Sequence, residues 1–72
     1  MTREPAGPEA SELTPRIGKV ARRSLAAHGI TTYEQLAAHT PREVLEIHGV
    51  GPKAVRILTE ELDGLGLAFA RG

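Results

Sequence analysis

The chain has 72 residues, of which 40% are apolar, and its nine basic and nine acidic side chains leave no net charge. That suits one small globular domain and counts against a strong non-specific nucleic-acid binder, which would usually be basic. Cysteine is absent, which excludes disulfides and thiol chemistry. No stretch is apolar enough to span a bilayer, and Met1 to Glu12 has no apolar secretion core, so a cytoplasmic location is expected.

Residues 1–12 place Pro5, Gly7 and Pro8 among charged and small side chains, a pattern that predicts a disordered arm before a single domain over 13–70. A first helix is predicted from about Ile17 to His28. Ile17, Val20, Ala21, Ser24, Leu25 and His28 share its inner face, and Lys19, Arg22, Arg23 and Ala26 the outer one. Gly29 stops it and Ile30 folds back onto the core. Thr31 or Thr32 then caps a short helix to about Ala38, with Thr31 and Glu34 spaced as a capping box. Thr40-Pro41-Arg42-Glu43 repeats this grammar and opens a third helix that runs to about Ile47. A fourth is expected from Pro52 to about Asp63, with Ala54, Val55, Leu58 and Leu62 inside and Lys53, Arg56, Glu60 and Asp63 outside. Gly64 and Gly66 end it, and Leu65, Leu67 and Phe69 pack back as an apolar tail. The fold class is therefore all-α, a compact bundle of four to five short helices without a strand. Its core is expected from Leu25, Ile30, Leu36, Leu45, Val50, Leu58 and Leu62.

Between the third and fourth helices lies the run His48-Gly49-Val50-Gly51-Pro52-Lys53-Ala54. Glycines at alternate positions permit backbone conformations closed to other residues, and proline suits the first position of a helix because it has no N–H to leave unpaired there. The free amides of that first turn, with Lys53 beside them, form a small positive pocket suited to phosphate. The same glycines would also serve a tight turn with no ligand. With Leu45 before it and Ile57 and Leu58 after it, this run resembles the helix-hairpin-helix family of DNA-binding motifs. That resemblance implies that the amides at Gly49, Gly51 and Lys53 hold a DNA phosphate. It also implies, as in some members, a monovalent cation on nearby carbonyls, by position those of Leu45, Ile47 and Val50. No other cofactor and no metal is expected.

Ile17-Gly18-Lys19-Val20-Ala21 can be laid on Val50-Gly51-Pro52-Lys53-Ala54 without a gap, and Leu25 then meets Leu58. This echo reads as a degenerate first hairpin, with Arg16 where Gly49 would be. Chance similarity in a short alanine-rich sequence is the alternative. Arg16, Lys19, Arg22 and Arg23 form a basic cluster with no acid between Leu13 and Ile30. The cluster offers a second phosphate contact, or it is simply the solvated side of the first helix.

From Leu13 to Phe69 the chain is also similar to the C-terminal domain of the bacterial RNA polymerase alpha subunit. The matching features are Leu25, Gly29-Ile30-Thr31-Thr32, Glu34-Gln35-Leu36, Thr40 to Leu45, Val50-Gly51-Pro52-Lys53 and Gly66-Leu67. In that family the start of the first helix and the second hairpin contact the DNA minor groove, and Lys53 matches a DNA-contacting lysine. Two positions depart from the pattern: the family's arginine falls on Val20 and its asparagine on Gly49. The resemblance implies a free-standing small relative, since the chain has no room for a polymerase assembly domain.

Catalysis finds little footing. Ser24 and His28 sit on one helical face without an orienting acid or an oxyanion hole, and His28, His39 and His48 lack ligand spacing and cysteine partners. One tyrosine and one phenylalanine make no base-stacking platform, and Tyr33 is expected at the edge of the core. The expected function is non-enzymatic binding of duplex DNA through its backbone, with weak sequence selectivity, by Gly49, Val50, Gly51, Lys53, Arg16, Lys19, Arg22 and Arg23. The alternative is a SAM-like protein–protein module. A weaker third reading is the detached targeting domain of a nucleic-acid enzyme. No membrane or small-molecule ligand is expected.

Overall fold

A computed structural model describes residues 11–71. Among these there is no strand; the chain forms a 3-10 turn, Pro15–Ile17, and four helices, α1 (Lys19–Ala27), α2 (Tyr33–Ala37), α3 (Pro41–Leu45) and α4 (Pro52–Gly64). The thirteen-residue α4 is the longest element and packs on both the 3-10 turn and α3.

Local chemistry explains each boundary. Thr14 accepts the Arg16 N–H and starts the 3-10 turn, and Gly18, at φ 92°, turns the chain before α1 begins. Gly29 takes φ 77°, which lets Ile30 N–H reach the Leu25 carbonyl at 2.9 Å and directs Ile30 into the core. Gly66 closes α4 in the same way, with Leu67 N–H on the Leu62 carbonyl at 2.8 Å. These are Schellman stops, in which a left-handed residue just past the helix satisfies its last carbonyls. Gly64 is the last residue of α4 and does not break it.

Both short middle helices start with a complete capping box. At α3 the pair is Thr40 and Glu43, as the sequence predicts. At α2 it is Thr32 and Gln35 rather than Thr31 and Glu34. Thr31 is engaged elsewhere: its carbonyl accepts the Glu12 N–H at 2.7 Å, and its own N–H donates to Gln35 Oε1 at 2.8 Å.

The core joins Leu13, Ala21, Leu25, Ile30, Leu36, Val44, Val50, Ala54, Leu58 and Leu62, with Ile17, Tyr33, Ile47, Leu67 and Phe69 packed around it. Leu45 is not part of it: it is 43% exposed, and Val44, fully buried, takes the place expected for it. Val44 and Ile47 lie three apart and share the inner face, whereas Leu45 is turned about 100° away from Val44. Val20, expected inside, is 67% exposed: the inner face of α1 is centred on Ala21 and Leu25, and Val20 lies about 100° round from Ala21, at its edge beside Gly49. Leu65 is also exposed, while Leu67 and Phe69 do pack back, and Ala70 N–H bonds the His39 carbonyl at 2.9 Å.

Most of the arm expected over residues 1–12 lies outside the described residues. Its last two residues are held: Ser11 is buried and Glu12 bonds Thr31.

Candidate nucleic-acid interface

The hairpin between α3 and α4 is a close turn anchored by its middle residue. Val50 donates its N–H to the Ile47 carbonyl at 3.0 Å and buries its side chain in the core. Gly49 takes φ 96° and lies against α1, where Ser24 Oγ and Val20 Cγ1 occupy the space that a β-carbon would need. Gly51 caps α4 with an extended backbone, φ −101° and ψ 178°, and accepts the Val55 N–H through its carbonyl at 3.1 Å. Pro52 follows at the first helical position and Lys53 is exposed beside it.

Across from this hairpin stands the 3-10 turn with Gly18, which caps α1. The two turns enclose a groove of about 290 Å³. Arg16, Ile17 and Gly18 form one side; Gly49, Gly51 and Lys53 form the other; Ala21, Ala54 and Ile57 lie between. The internal echo thus has a structural counterpart: Gly18 and Gly51 are both helix caps, Ala21 and Ala54 are both buried, and Leu25 and Leu58 are both fully buried. The correspondence is not complete. Gly18 has positive φ and Gly51 does not, while in the second hairpin the positive φ falls on Gly49, opposite Arg16.

Helix starts divide into two kinds. Those of α2 and α3 are sealed by capping boxes and carry Glu34 and Glu43 in the first turn. Those of α1 and α4, which meet at the groove, have glycine caps, no side-chain cap bond and no acid in the first turn. No side chain of their own caps therefore answers their first amides or the positive ends of their dipoles.

Of the residues singled out from sequence, Gly49, Gly51, Lys53 and Arg16 line the groove together. Val50 supports it from the core and presents no side chain to it. Lys19 and Arg23 are exposed on α1 outside the groove lining. Arg22 is drawn away from the cluster: its Nη2 donates to the Ser11 carbonyl at 2.7 Å, and its buried Nε has no partner. Arg16 is answered by α4, with Nη1 3.2 Å from Glu61 Oε2 and Nη2 3.6 Å from Glu60 Oε1. The acid-free run Leu13–Ile30 is thus not acid-free in space, and no sequence-local signal marks Glu60 and Glu61 as its neighbours. Gly18, which the echo aligns with Gly51, lines the groove beside the residues expected there.

Over residues 14–63 the sequence matches the family model of the SAM-like helix-hairpin-helix tandem. The chain belongs to that family. No curated protein and no solved structure matches it. The match spans the 3-10 turn, Gly18, all of α1, α2 and α3, the Gly49–Gly51 hairpin and α4 to Asp63. Neutral carbonyl oxygens are suitable donors for a monovalent cation. Among those implied at the hairpin, the Ile47 carbonyl already accepts the Val50 N–H at 3.0 Å. At the other sites, His28 Nδ1 lies 3.0 Å from the backbone carbonyl of Ser24 rather than facing its hydroxyl. Tyr33 packs on the core edge, and its hydroxyl accepts the Thr14 N–H at 2.8 Å. No described helix is long and apolar enough to cross a membrane.

Proposed function

We propose that this domain binds the phosphate backbone of duplex DNA without catalysis and with little sequence preference, across the groove between its two glycine-capped helices. The observation that carries this reading is the pairing of two uncapped, acid-free helix starts on one groove, while the two helix starts elsewhere are closed by their own side chains. Helix N-termini with free amides bind anions, and Lys53 adds a full charge to the second of them. The amides of Gly49, Gly51 and Lys53 hold one phosphate. Arg16 and Lys19 supply the second contact, and Arg23 adds to the field from further out.

A small relative of the RNA polymerase alpha C-terminal domain is the finer form of the same reading. It makes the protein bacterial and, as a DNA binder, cytoplasmic. In this geometry Val20, which stands where that family carries an arginine, is an exposed apolar residue beside Gly49. Guanidinium hydrogen bonding in the minor groove is replaced there by apolar contact, which favours backbone binding over base readout.

The test is a salt-titrated binding assay on duplex, single-stranded and branched DNA, with the parent chain and Lys53→Ala. Lys53 is exposed, so its removal should leave stability within about 0.5 kcal/mol. It should weaken duplex binding and reduce the salt slope by about one unit. If Lys53→Ala binds like the parent while loss of Arg22 and Arg23 abolishes binding, the hairpin is only a turn and α1 is the surface. If no DNA form binds at low salt, the SAM-like protein-interaction reading takes its place.

A further inference from the structure

A second cleft, of about 630 Å³, lies between the lead-in to the fold, the first turn of α2 and the turn that closes α4. Its lining is Glu12, Thr32, Tyr33, Glu34, Leu65 and Leu67, and it shares no residue with the groove between the hairpins. Glu12, Leu65 and Leu67 fall outside residues 14–63, the stretch that matches the family model.

Two features of the cleft point to one kind of occupant. Leu65 is 57% exposed and Leu67 half-buried, so apolar surface faces water beside the ring of Tyr33. The Tyr33 hydroxyl is already bonded to Thr14, which leaves the ring rather than the hydroxyl for contact. The charged rim is of one sign. Glu12 and Glu34 are exposed, neither forms an ion pair among the described residues, and no lysine or arginine lines the cleft.

We propose that this cleft docks a short segment of a protein partner in which leucine-like side chains are flanked by lysine or arginine. The apolar side chain covers Leu65, Leu67 and the Tyr33 ring, and the cationic neighbours meet Glu12 and Glu34. Nucleic acid is repelled by the same carboxylates, and a bare cation leaves the leucines uncovered. Tyr33 reports the same environment: burial raises its pKa above the usual tyrosine value, and the nearby Glu61 and Glu12 charges add to the rise, against the Thr14 hydrogen bond and Arg22. Because the two grooves have no residue in common, docking here leaves the hairpins open to their own ligand, and the proposal does not rest on DNA binding.

The experiment is an amide-resolved NMR titration of the full chain with the blocked peptide Lys-Leu-Lys-Leu-Lys. Pentalysine and Glu-Leu-Glu-Leu-Glu serve as control probes. Shifts are expected to centre on Thr32, Glu34, Leu65 and Leu67 with the first peptide only. Leu65→Ser, at an exposed position, should weaken that binding about tenfold, from the lost apolar burial. The double variant Glu12→Gln with Glu34→Gln should weaken it about threefold. Lys53→Ala should leave it unchanged. Equal binding of pentalysine, or shifts spread over all the carboxylates, would overturn the proposal. So would the same shifts appearing when the chain alone is concentrated, because the occupant would then be a second copy.

Discussion

Gly49 and Gly51 look equivalent in sequence but face different constraints. Gly49 has φ 96°, and a β-carbon there would meet Ser24 Oγ and, at 3.1 Å, Val20 Cγ1. Gly51 has a φ that any residue adopts, and a β-carbon there meets nothing within 4 Å. Gly49→Ala should therefore cost about 2–3 kcal/mol, since left-handed backbone strain in a non-glycine residue is compounded by steric conflict with α1. Gly51→Ala should cost no more than about 1 kcal/mol: alanine is a clearly poorer helix cap than glycine, but it lowers the entropy of the unfolded chain, which offsets part of that. It should still weaken DNA binding, because its methyl group would stand in the groove where a phosphate approaches the amides. Paired denaturation and binding curves check both expectations. A Gly51→Ala protein that unfolds easily would show that the cap, and not the ligand, requires glycine.

At the scale of elements, most of the fold is legible because its punctuation is local. The Schellman stops at Gly29 and Gly66, the Thr40–Glu43 box and the proline that opens α4 each rest on a few adjacent residues, and the sequence places them within a residue or two. The differences have two kinds of cause, contacts distant along the chain and elements too short to show a period. Of the two caps the sequence offers for α2, Thr32 is the one used, with Gln35 in the box in place of Thr31 with Glu34, and the Thr31 carbonyl accepts the Glu12 N–H. Leu45 lost its core place to Val44 because a five-residue helix is too short for periodicity to separate adjacent apolar side chains. The groove was half legible: the second hairpin is written in its glycines and Lys53, while Arg22 and Arg16 are redirected by Ser11, Glu60 and Glu61, which are distant along the chain. The caps themselves are testable. Thr40→Ala removes the side-chain acceptor of Glu43 N–H, 3.1 Å away, and should cost about 1 kcal/mol of unfolding free energy. It should not move DNA affinity, since α3 begins outside the groove. A change in affinity at unchanged stability would place α3 in the interface.

For the molecule as a whole, zero net charge means that any attraction for DNA depends on where the charges stand. Two or three phosphate contacts would give a shallow slope of log affinity against log salt, about −2 to −3 by counterion release. Arg16 lines the groove, yet Glu60 and Glu61 of α4 hold its guanidinium, so part of its charge is answered before DNA arrives. The side chains of Arg16 and Glu60 are more than half exposed, and such pairs contribute only about 0–1 kcal/mol to stability. Glu60→Gln with Glu61→Gln should therefore leave folding almost unchanged. It should tighten duplex binding several-fold at low salt and steepen the slope by about one unit as Arg16 becomes a full phosphate contact. Removing two carboxylates also relieves repulsion directly, and the Arg16→Ala background separates the two effects. If Arg16 is the released contact, the added slope should vanish in that background, leaving only a modest gain in affinity. If the full gain persists without Arg16, the acids act as a general negative field at the edge of the groove, and the second phosphate contact falls to Lys19 and the uncapped start of α1.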